Sequence, residues 1–284
     1  MEALKSAARA LFHGVGGTAL LRRRYRSGLR ILMYHRFPAA AEFDAQCEHL
    51  RRYYRPISMT EASEWLHRGK PLPPGAVVVT VDDGYRDFYV HAYPVLKSHG
   101  IPALVYIATD LPDKQTWLWT DQVTDAALKA RLKKLPDGER RTALLTMKWL
   151  RAAPPPEHAP LSWDEIREMA AGGIEFGAHT RSHPILSRLP NRKAIEAEVA
   201  GSKERIEVEL GSTVLHFCYP NGHPEDFSGE VVEVVRESGF TTAVTGVQGI
   251  NFSGADPYRL LRLHQEPDRP VNKYAHQVAG MYRG

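Results

Sequence analysis

The sequence predicts an α/β fold whose strands pair in parallel. Short runs of β-branched and aliphatic residues alternate with amphipathic helical stretches along the chain. Several of these runs are apolar at every position rather than at every second one, as in strands covered on both faces. The 284 residues, 43% hydrophobic and 25% charged, suffice for one large domain or two small ones. That composition excludes a disordered chain, a collagen-like repeat and a disulfide framework. No apolar run approaches the ~18 residues of a spanning helix, and no repeat of solenoid length is present.

Taken in order, the first strand is Arg30 to Tyr34, ending at His35. A helix follows from Phe43 to Tyr54, and Thr60 is placed to cap a second one through Leu66. Ala76 to Val81 is a β-branched strand that ends on Asp82-Asp83-Gly84. Residues 86–99 read as a helix stopped by Gly100, and Ala103 to Ile107 as another buried strand. Residues 112–160 break the rhythm, with Trp117, Trp119 and three successive prolines, and read as a helical insertion over one rim. The alternation then resumes. Ser162 and Glu165 form a capping box for a helix from Trp163 to Ala171, and Ile174 to Ala178 is a strand running into His179. Arg192 to Leu210 is a helix ended by Gly211. Val214 to Cys218 is a strand ending at Tyr219-Pro220. Val231 to Ser238 is a helix, Thr241 to Thr245 a strand, and Tyr258 to Leu263 the last strand, ending at His264.

The net charge of +4 is unevenly placed. Residues 1–30 hold seven basic residues against Glu2, so the remainder is slightly acidic. Leu4, Ala7, Ala8, Leu11, Phe12 and Val15 recur at helical spacing, which marks residues 1–29 as a basic amphipathic segment. Gly14, Gly16 and Gly17 interrupt it before Arg22 to Arg24. Its strongest charge comes last, unlike a secretory signal. The segment suits either docking on the domain or peripheral contact of residues 1–26 with an anionic membrane. With Cys47 and Cys218 as the only thiols, the expected setting is the reduced cytoplasm, at the inner face of the membrane if that contact forms. No second basic face points to nucleic acid.

Functional groups of parallel α/β proteins gather at the carboxyl ends of strands. Here those ends supply His35, Asp82-Asp83, His179 with His183, Tyr219 and His264. Two histidines, one carboxylate and an open position make a catalytic metal site. Asp82-Asp83 is the acidic pair at a strand end that can complete it. Tyr85, Trp117 and Trp119 are candidates for stacking on a ligand ring, and the two tryptophans also suit packing of the insertion onto the barrel. Cys218 reads as a small core residue, and His91, His99, His216 and His223 show no partner pattern.

Thr80-Val81-Asp82-Asp83-Gly84 resembles the first signature of the polysaccharide deacetylases, carbohydrate esterase family 4. His179-Thr180-Arg181-Ser182-His183 resembles the second. Tyr219-Pro220 and Leu261-Arg262-Leu263-His264 are similar to the third and fifth. Leu32-Met33-Tyr34-His35 is similar to the opening of exopolysaccharide-associated members, which marks His35 as a pocket residue. The resemblance covers residues 30–265 in order. It implies a distorted (β/α) barrel of about seven strands, with residues 30–284 as the catalytic domain. It also implies a divalent metal, usually zinc, with cobalt, nickel or manganese as alternatives. The implied ligands are Asp83, His179 and His183, with Asp82 as general base, His264 as general acid and the Tyr219 N–H at the oxyanion.

The implied reaction removes the N-acetyl group from an amino sugar of a polysaccharide or lipid-linked glycan. Two departures stand out. The arginine expected to orient the base is absent from Val214 to Cys218, leaving Arg262, or Arg259, to supply that charge. The fourth motif has no counterpart in Thr241 to Asn251. The rival readings are an amino-sugar deformylase or cyclic-ureide hydrolase on the same fold, and an inactive carbohydrate-binding member.

Overall fold

The computed structural model of the chain describes residues 17–38, 41–147 and 154–281. The apolar runs become β1 (Arg30–Tyr34), β2 (Arg55–Pro56), β3 (Ala76–Val81), β4 (Ala103–Ile107), β5 (Glu175–Ala178), β6 (His216–Cys218), β7 (Thr242–Gln248) and β8 (Leu260–His264). Every pairing between them is parallel. The order runs β1-β8-β7-β6-β5-β4-β3. β1 then pairs with β3 from Arg30↔Val77 to Tyr34↔Val81, which closes a seven-stranded barrel. The short β2 was not foreseen. It pairs with Ala76 and Val77, ahead of the point where β4 joins β3. The barrel is distorted at β7, whose register against β8 shifts between Val244 and Gln248.

Strand alternation decides which side chains enter the barrel. In β3, Val77, Val79 and Val81 join the outer layer under the helices, while Ala76 and Val78 join the inner one. Leu104, Tyr106 and Cys218 are likewise inside, and Val105, Ile107 and Phe217 outside. The inner series begun by Ile31, Val78 and Leu260 continues to His35, Asp82, and Arg262 with His264. Period-two geometry thus sends these four side chains to the carboxyl mouth. Gly177 stands on the inner face of β5, where a Cβ would come within 2.7 Å of the Tyr106 ring. Its bare backbone lets that ring cross the interior.

The helices follow their capping signals, with two shifts. Ser162 and Glu165 form the expected reciprocal box. The helix Met59–Arg68 is capped by Ser58 rather than Thr60, because Ser58 and Glu61 satisfy each other's backbone N–H. Thr60 instead donates its N–H to the Glu175 carboxylate. The expected helix over 86–99 contains a π-turn, Phe88–Ala92, before Tyr93–His99. Pro94 has no N–H to continue the regular ladder there.

The insertion folds as short helices, Asp110–Lys114, Trp119–Gln122, Ala126–Lys134 and Asp137–Thr146, beside the barrel mouth. The amphipathic stripe from Leu4 to Val15 lies outside the described residues. Gly17, expected to break a helix, opens the helix Gly17–Arg24, which packs on the helix Val271–Ala279. Arg30, counted in the basic segment, is fully buried and donates to the Val278, Tyr25 and Gly28 carbonyls. Among the described residues no helix is long and apolar enough to cross a membrane.

Candidate metal centre and active site

A cavity of about 390 Å³ opens at the carboxyl mouth, and His35, Asp82, Asp83, His179, His183, Tyr219, Arg262 and His264 all line it. A larger groove of about 500 Å³, between the N-terminal helix and the helices Ala41–Tyr53 and Val271–Ala279, contains none of these residues.

Asp82 follows the inner series of β3. Asp83, next in line, should point outward. Its left-handed backbone, φ 77°, turns the carboxylate back into the cavity, and Gly84 at φ 92° completes the turn. His179 leaves β5 on the inner face. Its Nδ1 lies 2.8 Å from the Cys218 carbonyl, the geometry of an Nδ1–H donor, which leaves the Nε2 lone pair facing Asp83. Pro184 rules out a continued helix, so the second histidine arrives by a turn. Thr180 and His183 both take positive φ, 66° and 56°. The His183 N–H donates to Thr180 Oγ1 at 3.1 Å. Glu198, from the helix Arg192–Leu210, accepts the N–H groups of Arg181 and Ser182, each at 2.9 Å, and the Ser182 hydroxyl at 2.6 Å.

The result is a compact donor set. Nε2 of His179 and of His183 each lie 3.5 Å from Asp83 Oδ1, and all three residues are buried. Ligands at ~2.1 Å around a tetrahedral ion sit about 3.4 Å apart, so this set fits a divalent metal. Burial and the neighbouring His179 hold His183 down at about 3, keeping a lone pair available. Burial pushes the Asp83 carboxyl up, but the imidazoles around it, His179 first, bring it below its ordinary value. A second grouping, Asp82, His179 and Cys218, is also close enough to share an ion. Asp82 is already engaged through both oxygens, and burial raises the Cys218 thiol, so that set is the poorer one.

Asp82 is held by a residue 180 positions away. Arg262 donates Nη1 to Oδ1 and Nη2 to Oδ2, each at 2.7 Å, and Nε to the Thr245 carbonyl at 2.7 Å. Cys218 Sγ lies 3.3 Å from Arg262 Nη2 and 3.6 Å from Asp82 Oδ2. Burial alone would raise the Asp82 carboxyl. The paired guanidinium outweighs it and holds the group well below the usual carboxylate range. Arg262 is therefore the arginine that orients Asp82, while Arg259 pairs with Asp256 at the surface.

His35 Nε2 is 3.7 Å from Asp82 Oδ2, and its ring meets that of His264 edge-on, with centroids 5.8 Å apart. His264 Nε2 lies 3.3 Å from Glu266 Oε1. Burial lowers His264, partly countered by that carboxylate.

Other expected placements differ. The Tyr219 N–H is spent on the Val244 carbonyl at 3.2 Å, so it cannot serve an oxyanion. Asn221, two residues on, has φ 62° and lines the cavity, and its N–H makes no hydrogen bond among the described residues. Tyr85 does not face a ligand. It is 1% exposed, and its hydroxyl donates to Asp121 and accepts the Leu118 N–H. Trp117 packs with Tyr85, Ala108, Leu111 and Leu118, and Trp119 lies under Arg140. The insertion needs its own core, and these aromatics supply it. Its contribution to the cavity is Leu118, Thr120, Asp121 and Lys133.

His223 and Gln248 also line the cavity. Neither these two residues nor Glu198 carries a signal in the sequence. The Pro220-Asn221-Gly222 turn, by contrast, could have been read as a source of exposed N–H groups.

The polysaccharide deacetylase family matches residues 69–243. YxkH of Bacillus subtilis, a protein named for that family, is 24% identical over 262 residues, covering 89% of this chain and 77% of its own length. The poly-beta-1,6-N-acetyl-D-glucosamine N-deacetylase of Escherichia coli K12 is 45% identical over 240 residues, covering 79% of this chain. The match takes in 33% of that relative, so the chain corresponds to about a third of it. The structure of IcaB from Ammonifex degensii superimposes with a TM-score of 0.66 at 26% identity, over 88% of this chain and 97% of that one. With the matched region spanning more than half of its residues, the chain belongs to the polysaccharide deacetylase family, metal-dependent hydrolases of N-acetyl amide bonds.

Proposed function

We propose that this chain removes the N-acetyl group from N-acetylglucosamine units of an exopolysaccharide, with a β-1,6-linked glycan as the first substrate to try. The observation that carries this reading is the pairing in one cavity of the Asp83, His179 and His183 donor set with Asp82, a second carboxylate locked by Arg262. The relationship to the Escherichia coli deacetylase supports the choice of sugar and linkage.

Asp83, His179 and His183 would hold the metal, zinc in the first instance, although cobalt, nickel or manganese also suit nitrogen and oxygen donors. Such an ion supplies a water of lowered pKa and positive charge for the acyl oxygen. Asp82 accepts the proton of the attacking water, and Arg262 keeps it anionic and oriented. The Asn221 N–H, in place of that of Tyr219, donates to the oxyanion. His264 delivers a proton to the departing nitrogen. The products are acetate and a free amino sugar.

Acetate release from N-acetylglucosamine oligomers, before and after chelation, tests this reading. Release should vanish with chelator and return on adding a divalent metal. An active preparation indifferent to chelator, or none active on any N-acetylated oligomer, contradicts it.

A further inference from the structure

Two charged side chains of the insertion enter the active-site cavity, and the opposite charges that act on them, Asp226 on Lys133 and His158 and Arg36 on Asp121, make no ion pair with them. Asp121, in the helical turn Trp119–Gln122, and Lys133, in the last turn of Ala126–Lys134, both line the cavity with Asp83, His179 and His183. Among the described residues neither has an ion-pair partner. Each is instead tethered by a neutral group. The Tyr85 hydroxyl, itself fixed by the Leu118 N–H at 3.0 Å, donates to Asp121 Oδ2. Lys133 donates to Asn221 Oδ1, and the Asn221 amide is in turn tied to Asp226.

These tethers use only part of each group's capacity. Asp121 retains its second oxygen as an acceptor, and the ammonium retains two further donors. Half-burying an unpaired charge is unfavourable. Burial accordingly raises the Asp121 carboxyl and lowers the Lys133 ammonium. The fold thus keeps two directed, incompletely bonded charges facing the reacting residues, with the Thr120 hydroxyl beside them.

A cationic ligand would meet Lys133 and Arg262, and an anionic one Asp82, Asp83 and Asp121. The opposed signs favour a neutral, polyhydroxylated ligand that both donates and accepts hydrogen bonds. We infer that Asp121 and Lys133 form the sugar-binding wall of this cavity. They hydrogen-bond the ring hydroxyls of the hexosamine whose acetamido group faces Asp82, and so set which glycan is accepted. Tyr85 is the positioning residue for Asp121. The inference rests on the deacetylase reading above and extends it to the sugar ring.

Two measurements test it. One is calorimetric titration of the chelator-treated full chain with an N-acetylglucosamine tetramer. The other is the rate of acetate release by the metal-reconstituted chain. Asp121→Asn is isosteric and Lys133→Met keeps the aliphatic stem, so both should retain wild-type melting curves and metal content. Each is expected to weaken tetramer binding, and to raise KM, by about ten-fold or more, as loss of a charged hydrogen bond implies. The fall in kcat should be the smaller effect. Tyr85→Phe should give the same split in lesser degree. Wild-type affinity and KM in both Asp121→Asn and Lys133→Met, or failure of the wild-type chain to bind the tetramer, would overturn the inference. Binding that the two substitutions weaken, in a reconstituted chain that releases no acetate, would uphold the wall and remove the deacetylase reading instead.

Discussion

Arg262→Met is expected to destabilise the chain by about 3–5 kcal/mol and to reduce acetate release by about 10²-fold or more. Arg262 and Asp82 are each 2% exposed. Their pairing is unlike a surface ion pair, because removing one partner leaves the other charge buried and uncompensated. The folded-state Asp82 carboxyl lies below its ordinary value, so the pair's contribution is fully present above the unfolded-state value of about 4. It is lost only as pH falls through the lower folded-state value. At neutral pH the substitution therefore meets the whole penalty. The catalytic loss has a separate origin, since Asp82 would lose both its orientation and the cation that keeps it anionic. Denaturant unfolding and acetate release measure the two effects. Combining Arg262→Met with Asp82→Asn should recover much of the stability and none of the activity, because no buried charge is then stranded. A single variant as stable as the parent would show that the arginine does not compensate Asp82.

His179→Ala and His183→Ala should each abolish metal retention and turnover while leaving the barrel intact. Each removes one of three donors, and the two remaining groups cannot close a tetrahedral set. The folding penalty is far smaller than the functional one. His179 forfeits its hydrogen bond to the Cys218 carbonyl, about 1 kcal/mol. His183 sits in a turn that Glu198 and Thr180 hold through the backbone and the Ser182 hydroxyl, independently of the imidazole. Metal analysis and circular dichroism on the same samples separate the two effects. A full complement of metal in either variant would remove that histidine from the centre.

The barrel strands, the acidic turn after β3 and the histidine pair after β5 were all legible in the sequence. β-Branched runs and strand ends are local signals, and local signals survive without knowledge of the fold. What the sequence could not show depends on long-range closure. Arg262 reaches Asp82 because both occupy inner positions of strands that meet only when the barrel closes. Until then Arg259, three residues earlier, stays in view as the second candidate.

Tyr85 follows the Asp82-Asp83-Gly84 turn, yet the left-handed backbone at Asp83 and Gly84 breaks the alternation on which a pocket-facing ring would depend. Tyr219 was expected to offer its N–H, but the β6–β7 ladder extends one residue past β6 and consumes it. Trp117 and Trp119 had two readings, stacking on a sugar ring or packing of the insertion onto the barrel, and the structure shows them packed. Glu198 gave no signal because an acidic residue on a long helix is ordinary until the turn it clamps is in view.

On the proposed reading the adjacent aspartates divide the chemistry, Asp83 holding the metal and Asp82 moving the proton. Metal content and acetate release, measured together on Asp82→Asn and Asp83→Asn, test it most directly. Asp82→Asn should retain the metal and lose activity by about 10²–10⁴-fold, while Asp83→Asn should lose both. Loss of metal by Asp82→Asn together with its retention by Asp83→Asn would reverse the two roles and contradict the account.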